Sequence, residues 1–186
     1  FVVDRKVAES DIITSFYLRA ADGGELPGYE AGQYVTVRVE HPQTPTTPRN
    51  YSLSDRPGAG HYRISVKREP APNASAPNGL ISNYLHDVVQ VGDRLQLGPP
   101  CGEFTISPQL AAERPIVLLA GGIGVTPLLA MAKELVRAGV SSPIYFLQAA
   151  RNSRVHAFRE ELSSLSQSAA NLTTHIIYDA PLAEDV

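Results

Sequence analysis

A single cysteine, Cys101, in 186 residues rules out an internal disulfide framework and any cysteine-held metal or iron–sulfur site. Such sparse use suits a reducing compartment, and cytoplasm is the expected location. Basic charge is also scarce: 16 Lys and Arg stand against 19 Asp and Glu, for a net charge of −3. No basic stripe can neutralise a polyphosphate or an anionic membrane, so nucleic acid and membrane are excluded as partners and only small anions at local sites remain. The histidines His41, His61, His86, His156 and His175 lack ligand spacing and read as surface or capping residues, with no metal site. Neither an initiating Met nor a charged-then-apolar leader precedes Phe1, where a strand pattern is already under way, and the natural protein is expected to extend further. Long apolar runs are missing as well. Residues 115–132 carry no charge, but Gly121, Gly122, Gly124 and Pro127 break their centre, which indicates strand, turn and helix instead of a membrane span.

What is present, 43% apolar and 19% charged residues, belongs to an ordinary globular chain with room for one large or two small cores. Its first part alternates like an antiparallel barrel. Over 34–40, Val35, Val37 and Val39 point one way and Tyr34, Thr36 and Arg38 the other; over 62–67, Tyr62, Ile64 and Val66 oppose Arg63, Ser65 and Lys67. Further strands are expected at 2–9, 12–19, 49–54 and 94–97, with loops rich in Pro, Thr, Ala and Asn at 41–48 and 69–78. Leu80, Ile81, Tyr84, Leu85 and Val88 recur at helical spacing, predicting one short amphipathic helix from about Gly79.

From Arg114 the pattern changes to strand (116–120), helix (127–137), strand (144–149), helix (155–165) and strand (172–178). Alternation of this kind predicts a doubly wound parallel sheet. The division is expected at 1–110 for a Greek-key β-barrel domain and 111–186 for the α/β domain. Three strands are few for such a sheet, so this domain is expected to continue past the last residue.

Three stretches carry chemistry. Arg49-Asn50-Tyr51-Ser52 combines a rigid fork of donors suited to pyrophosphate, a flat ring for stacking and a hydroxyl that both donates and accepts; alone it also reads as an ordinary half-buried strand. Gly121-Gly122-Ile123-Gly124-Val125-Thr126-Pro127 follows a buried strand and opens a helix, the setting of a dinucleotide site in which glycines admit the ligand and free N–H groups meet phosphate. No Lys follows in the Walker manner, which argues against triphosphate hydrolysis. Gly79-Leu80-Ile81-Ser82 offers a second helix start, readable as a phosphate site or a plain helix beginning. Two such cradles beside an Arg-and-Tyr strand suggest two nucleotide cofactors.

On these residues, together with Ala31-Gly32-Gln33-Tyr34, Ser82-Asn83-Tyr84-Leu85-His86 and Val155-His156-Ala157-Phe158, the chain resembles the FAD- and NAD(P)-binding reductase module of the ferredoxin-NADP reductase superfamily. The likeness runs nearest to the reductase half of bacterial flavohaemoglobins. It implies that NAD(P)H passes hydride to FAD, and that FAD passes single electrons to an acceptor, the haem of a fused or separate globin domain that this chain does not contain. It further implies that Arg49 and Asn50 hold FAD, that Tyr34 and Tyr51 contact the flavin, that Ser52 lies near its hydride-accepting edge, and that Gly79 to Ser82 bind its pyrophosphate. Gly121 to Pro127 would then bind the NAD(P) pyrophosphate, with Thr126 near the nicotinamide; Ser52, Tyr51 and Thr126 would serve the hydride step. Strict alternation puts Arg49 and Tyr51 on one strand face and Ser52 on the other, so Ser52 acts through its backbone or the strand bends.

The chain departs from that family in lacking its late Cys-Gly-Pro segment and terminal aromatic region; Cys101 stands in the first domain and reads as a loop or core residue. After the second parallel strand no carboxylate is found, while Arg151 and Arg154 follow, either to hold a 2′-phosphate or to solvate the surface. NADH and NADPH both remain open, with the resemblance leaning to NADH. Two alternatives stand beside the main reading: the reductase component of an oxygenase with an iron–sulfur partner, and an FAD-binding module with little turnover.

Overall fold

The computed structural model describes residues 1–39, 48–71, 73–111 and 114–185. Glu40, His41 and most of the expected loop over 41–48 lie outside the described residues. Two antiparallel sheets form the first half. One holds β1 (Val2–Ala8), β2 (Ile13–Arg19) and β5 (Tyr62–Lys67) in the order β1-β2-β5; the other holds β3 (Tyr34–Arg38), β4 (Arg49–Ser52) and β6 (Gln96–Leu97) in the order β4-β3-β6. Isolated bridges join them at both seams. Leu53 pairs with Ile64 just past β4, and Val2 pairs with Arg94 just before β6. The ring β1-β2-β5-β4-β3-β6 is thereby closed, which removes the exposed edges that an open sheet would leave.

The alternation read from sequence points Val35, Val37, Ile64 and Val66 into this barrel, where they pack with Phe16, Leu18 and Leu53. Helix α1 (Leu80–Asp87) lays Ile81 and Leu85 against the same core. The opposite face of β2 and β5 is buried too. Ser15, Arg63 and Ser65 are all 3% exposed or less, although a polar face at period two ordinarily meets water. This face meets the second half of the chain: Ile13 packs into the core formed by Leu129, Leu135, Phe146, Phe158 and Leu162.

The second half begins with one turn of helix, α2 (Pro108–Ala111), where the sequence showed only punctuation. Strands β7 (Ile116–Gly121), β8 (Ile144–Ala150) and β9 (Leu172–Tyr178) pair in parallel in that order, with Leu118 opposite Phe146 and Ile144 opposite Leu172. Helices α3 (Val125–Arg137) and α4 (Arg159–Ser168) cover the face carrying Leu118, Ile144 and Phe146. Val117, Leu119, Tyr145 and Ile177 on the other face are exposed.

Helix α3 starts two residues before Pro127, which therefore sits in the first turn, where its missing N–H costs nothing. Helix α4 starts four residues later than its periodicity predicts. Ser153–Val155 form a 3-10 turn, His156 is extended, and Phe158 takes the left-handed conformation (φ 63°) before the helix begins. Among the described residues no helix is long and apolar enough to cross a membrane.

Candidate functional site

The three stretches singled out in the sequence meet at one cavity of about 430 Å³ between the two halves. Arg49, Asn50, Tyr51 and Ser52 line it from the barrel, Gly79, Leu80, Ile81 and Ser82 from the start of α1, and Ile123, Gly124, Thr126 and Pro127 from the turn into α3. A volume of this size is typical of small-molecule sites. All four residues of β4 line the cavity, Ser52 as well as Arg49 and Tyr51 of the opposite face. That disposes of the difficulty over Ser52 without a bend. Tyr51 packs on the barrel core, and burial pushes its hydroxyl up to about 12, against the pull of Arg49, so the ring stays neutral. Asn50 is oriented by Thr36, whose hydroxyl donates to its Oδ1 at 2.8 Å.

Both helix starts are open to an anion. Neither α1 nor α3 has a side-chain N-cap bond or an acidic residue in its first turn. The first N–H groups of α1 therefore lack intrahelical partners, whereas at α3 the preceding 3-10 turn Gly122–Gly124 already takes up the Val125 N–H through Gly122 O; both starts carry the positive end of the dipole. At α1 the last loop residues are braced instead: Asn83 Nδ2 donates to the carbonyls of Gly79 (2.7 Å) and Glu69 (2.9 Å), and the Ser82 hydroxyl donates to Gly79 O at 3.1 Å. At the second turn Gly122 has φ +51°, and a methyl group added at Gly121, Gly122 or Gly124 would meet nothing within 4 Å. The backbone there faces open space that a ligand can enter closely. The Thr126 hydroxyl donates to Ile123 O at 2.9 Å, leaving its lone pairs for a ligand donor. With Arg49 at one end, this donor set suits two phosphorylated, planar cofactors.

Other expected residues lie at the margin. Tyr34 is paired with Ser52 across β3 and β4 but does not line the cavity; its ring packs over Gly102, and its backbone exchanges two 2.9 Å bonds with Cys101, which is exposed. Gly121 and Val125 are also outside the lining, and Val125 is fully buried, so it can serve a ligand only through its backbone. Gly122 and Arg151 line a smaller neighbouring cavity of about 150 Å³ with Gln148 at the ends of β7 and β8. Arg154 pairs with Glu184 at 3.6 Å, and Ser153 N donates to Asp185 Oδ2 at 3.1 Å. Sequence reasoning missed Ser65, Lys67 and Glu69, which also line the main cavity. Lys67 borders both cavities and pairs with Glu69 at 3.2 Å. Alternation along β5 was the available signal, since it placed Ser65 and Lys67 on one face.

Two of the histidines read as surface or capping residues are drawn inward, one fully and one in part. His156 is 4% exposed; its Nε2–H donates to Gln148 Oε1 (3.3 Å) and its Nδ1 accepts from Tyr178 OH (2.9 Å). His86 is half-buried, its Nε2–H donating to Val66 O at 2.8 Å. Burial lowers the pKa of both; Arg159 adds to this at His156, and the Val66 bond opposes it at His86. Both rings are neutral structural joints.

Residues 1–106 match the oxidoreductase FAD-binding domain and residues 118–185 the oxidoreductase NAD-binding domain. A flavohemoprotein of Rhodopirellula baltica is 59% identical over 186 residues, which are 100% of this chain and 45% of that protein. One from Deinococcus radiodurans is 45% identical over 186 residues, 100% of this chain and 44% of that protein. The chain thus spans less than half the length of these relatives. Among solved structures, the flavohem-like FAD/NAD-binding domain of nitric oxide dioxygenase from Vibrio cholerae superimposes with a TM-score of 0.90 at 36% identity, over 100% of this chain and 76% of that one. With the FAD-binding and NAD-binding domains in tandem and their paired helix starts facing one cavity, the chain belongs to the FAD- and NAD-dependent oxidoreductases, as a reductase module of the flavohemoprotein type.

Proposed function

We propose that this module supplies electrons from a nicotinamide cofactor to the haem of a globin domain, within an enzyme that oxidises nitric oxide to nitrate. The observation that carries the reading is the convergence of Arg49 to Ser52, Gly79 to Ser82 and Ile123 to Pro127 on one cavity. We assign the FAD-binding part to residues 1–110 and the NAD(P)-binding part to 111–186; Ala111 packing into the second core supports that division.

The chemistry supplied by FAD, when bound, is acceptance of two electrons from NAD(P)H and their release singly. The protein's part is binding and orientation. Arg49 and the free N–H groups of Leu80, Ile81 and Ser82 would hold the FAD pyrophosphate, while Gly79 lets the chain pass close against Glu69 and Ser82 at the helix start. Tyr51 offers its ring face to the flavin, Ser52 and Asn50 line the flavin edge, and Tyr34 supports them across the β3–β4 pair. On the facing wall, Gly121 to Gly124 and the start of α3 would receive the second pyrophosphate, with Val125 closing the turn behind it through its N–H bond to Gly122 O. Thr126 and Pro127 orient the nicotinamide, and Thr126 keeps its hydroxyl fixed through Ile123 O. Lys67 borders both cavities and brings there an ammonium paired with Glu69.

Arg151 stands where the adenosine ribose would lie after the second parallel strand. The neighbouring groups are already met by the chain's own carboxylates, Ser153 N by Asp185 and Arg154 by Glu184, and this favours NADH over NADPH. Anaerobic mixing of the FAD-loaded protein with each cofactor tests the reading. Bleaching of the yellow colour by NADH, slower with NADPH, is expected. A protein that stays yellow with both would sink the reductase assignment, and faster bleaching by NADPH would overturn the preference alone.

A further inference from the structure

A charged network crosses the junction between the two halves behind the cavity. Arg63 on β5 is 2% exposed and donates to Glu161 Oε2 on α4 at 2.8 Å, to Ser54 Oγ and Tyr17 OH at 3.1 and 3.3 Å, and to the Ser54 carbonyl. The Phe158 ring lies 5.2 Å beneath its guanidinium, which gives the left-handed residue before α4 a role in the same joint. Lys133 on α3 donates to Glu161 Oε1 at 2.6 Å and to Asp55 Oδ1, and His61 Nε2 meets Asp55 Oδ2 at 3.0 Å. Two cations and two carboxylates thus balance across the junction. Burial alone would raise the Asp55 carboxyl, but the bond from His61 and the charges of Arg63 and Lys133 hold it well below the usual carboxylate range.

The placement of these residues ties them to the site. Asp55 comes three residues after Ser52, on the segment that leaves the cavity edge. Lys133 lies seven residues after Thr126 on the same helix, two turns or about 10 Å along it. Ser65, which lines the cavity, follows Arg63 on the same face of β5 and is held by Ser15 and Ser54, each at 2.7 Å. Both walls are therefore stapled to one another at their far ends. A buried ion network is a weak source of net stability compared with apolar packing, because desolvation offsets most of the attraction. Its charge-assisted bonds do have fixed lengths and directions, whereas an apolar contact can slide.

We propose that Asp55, Lys133, Glu161 and Arg63 form an inter-domain clamp that sets the separation between the two cofactor-bearing walls of the cavity, with Lys133 and Glu161 as positioning residues for hydride delivery. The inference rests on the reductase reading above. A misplacement of about 1 Å between reacting groups can cost on the order of 100-fold in rate, so loosening the clamp acts on turnover more than on binding.

The test uses the full-length, FAD-loaded protein and the variants Lys133→Met, Lys133→Arg and Glu161→Gln, the last preserving shape should Lys133→Met fail to fold. Flavin bleaching at saturating NADH is followed by anaerobic stopped flow, beside FAD affinity. Separately, nitroxide labels at Glu25 and Ser164, in a background with Cys101 and every other native cysteine replaced by Ser, report the distance between the halves without any cofactor. Lys133→Met and Glu161→Gln are expected to bleach at least tenfold more slowly, to bind FAD within twofold of the parent, and to broaden the label distances; Lys133→Arg is expected to recover most of the rate. Parental bleaching rates with parental distances overturn the clamp. So does a rate loss traced wholly to lost FAD or to a raised KM. If the parent itself fails to bleach, the reductase reading falls, while the label distances still decide whether the clamp holds the halves together.

Discussion

Arg49 shows how little a residue's identity says before its surroundings are known. It is exposed, and among the described residues its guanidinium donates to its neighbour Pro48 O at 3.0 Å and to no other group. The guanidinium is thus available to a ligand. Arg49→Ala is expected to weaken FAD binding by about 1.5–3 kcal/mol, the scale of a charged hydrogen bond, or roughly 10- to 100-fold in Kd. Fluorescence titration of the apoprotein would check this, and unchanged affinity would remove Arg49 from the site. Gly32 makes the opposite case. It stood in the sequence as part of a family likeness, and the structure supplies the reason: at φ +107° a side chain would overlap the Phe104 carbonyl and the Met131 methyl.

At the scale of elements, the turn from β7 into α3 was legible because an apolar strand, clustered glycines and a following proline are all local signals. Its freedom to carry side chains was not. Gly124 has φ −60°, which any residue tolerates, and a methyl group there meets nothing within 4 Å. Gly124→Val should therefore leave the unfolding free energy measured in urea almost unchanged, within about 0.5 kcal/mol, while raising the KM for NADH at least tenfold by filling the cavity wall. A stability loss with unchanged KM would show that this glycine serves the fold instead. The start of α4 was misread for a related reason. The apolar spacing over 155–165 is helical, but Phe158 is drawn under Arg63 from the other half of the chain, and a distant contact overrides local periodicity.

For the molecule as a whole, burial of neutral histidines makes stability depend on pH. His86 and His156 have folded pKa values below the ordinary 6.5, so in the window just beneath that value the unfolded chain binds protons that the folded one refuses. Stability is expected to fall as pH drops below about 6.5. Asp55 acts at a lower range: its folded pKa is depressed from 3.8, so its contribution is present above that value and is lost as pH falls through the folded one. Thermal midpoints measured from pH 8 to pH 5 should decline, and less steeply in a His86→Gln, His156→Gln double variant. Equal slopes in parent and variant would rule these two residues out as the source.

The order of elements, the two kinds of core and the three stretches that reach the cavity are legible in the chain alone, because period-two and helical apolar patterns, glycine turns and helix starts are all encoded within a few residues. What the polar face of β5 is for depends instead on how the two halves pack. Arg63, Ser65 and Lys67 alternate with Tyr62, Ile64 and Val66 just as a solvated face would. Burial on both sides follows from the docking of α3 and α4, and it turns Arg63 into the centre of a clamp and Ser65 and Lys67 into cavity lining. Partners at such separations, Arg63 with Glu161 or Asp55 with Lys133, leave no trace in local spacing, since a charged residue's neighbour across a domain junction is set by how the cores pack.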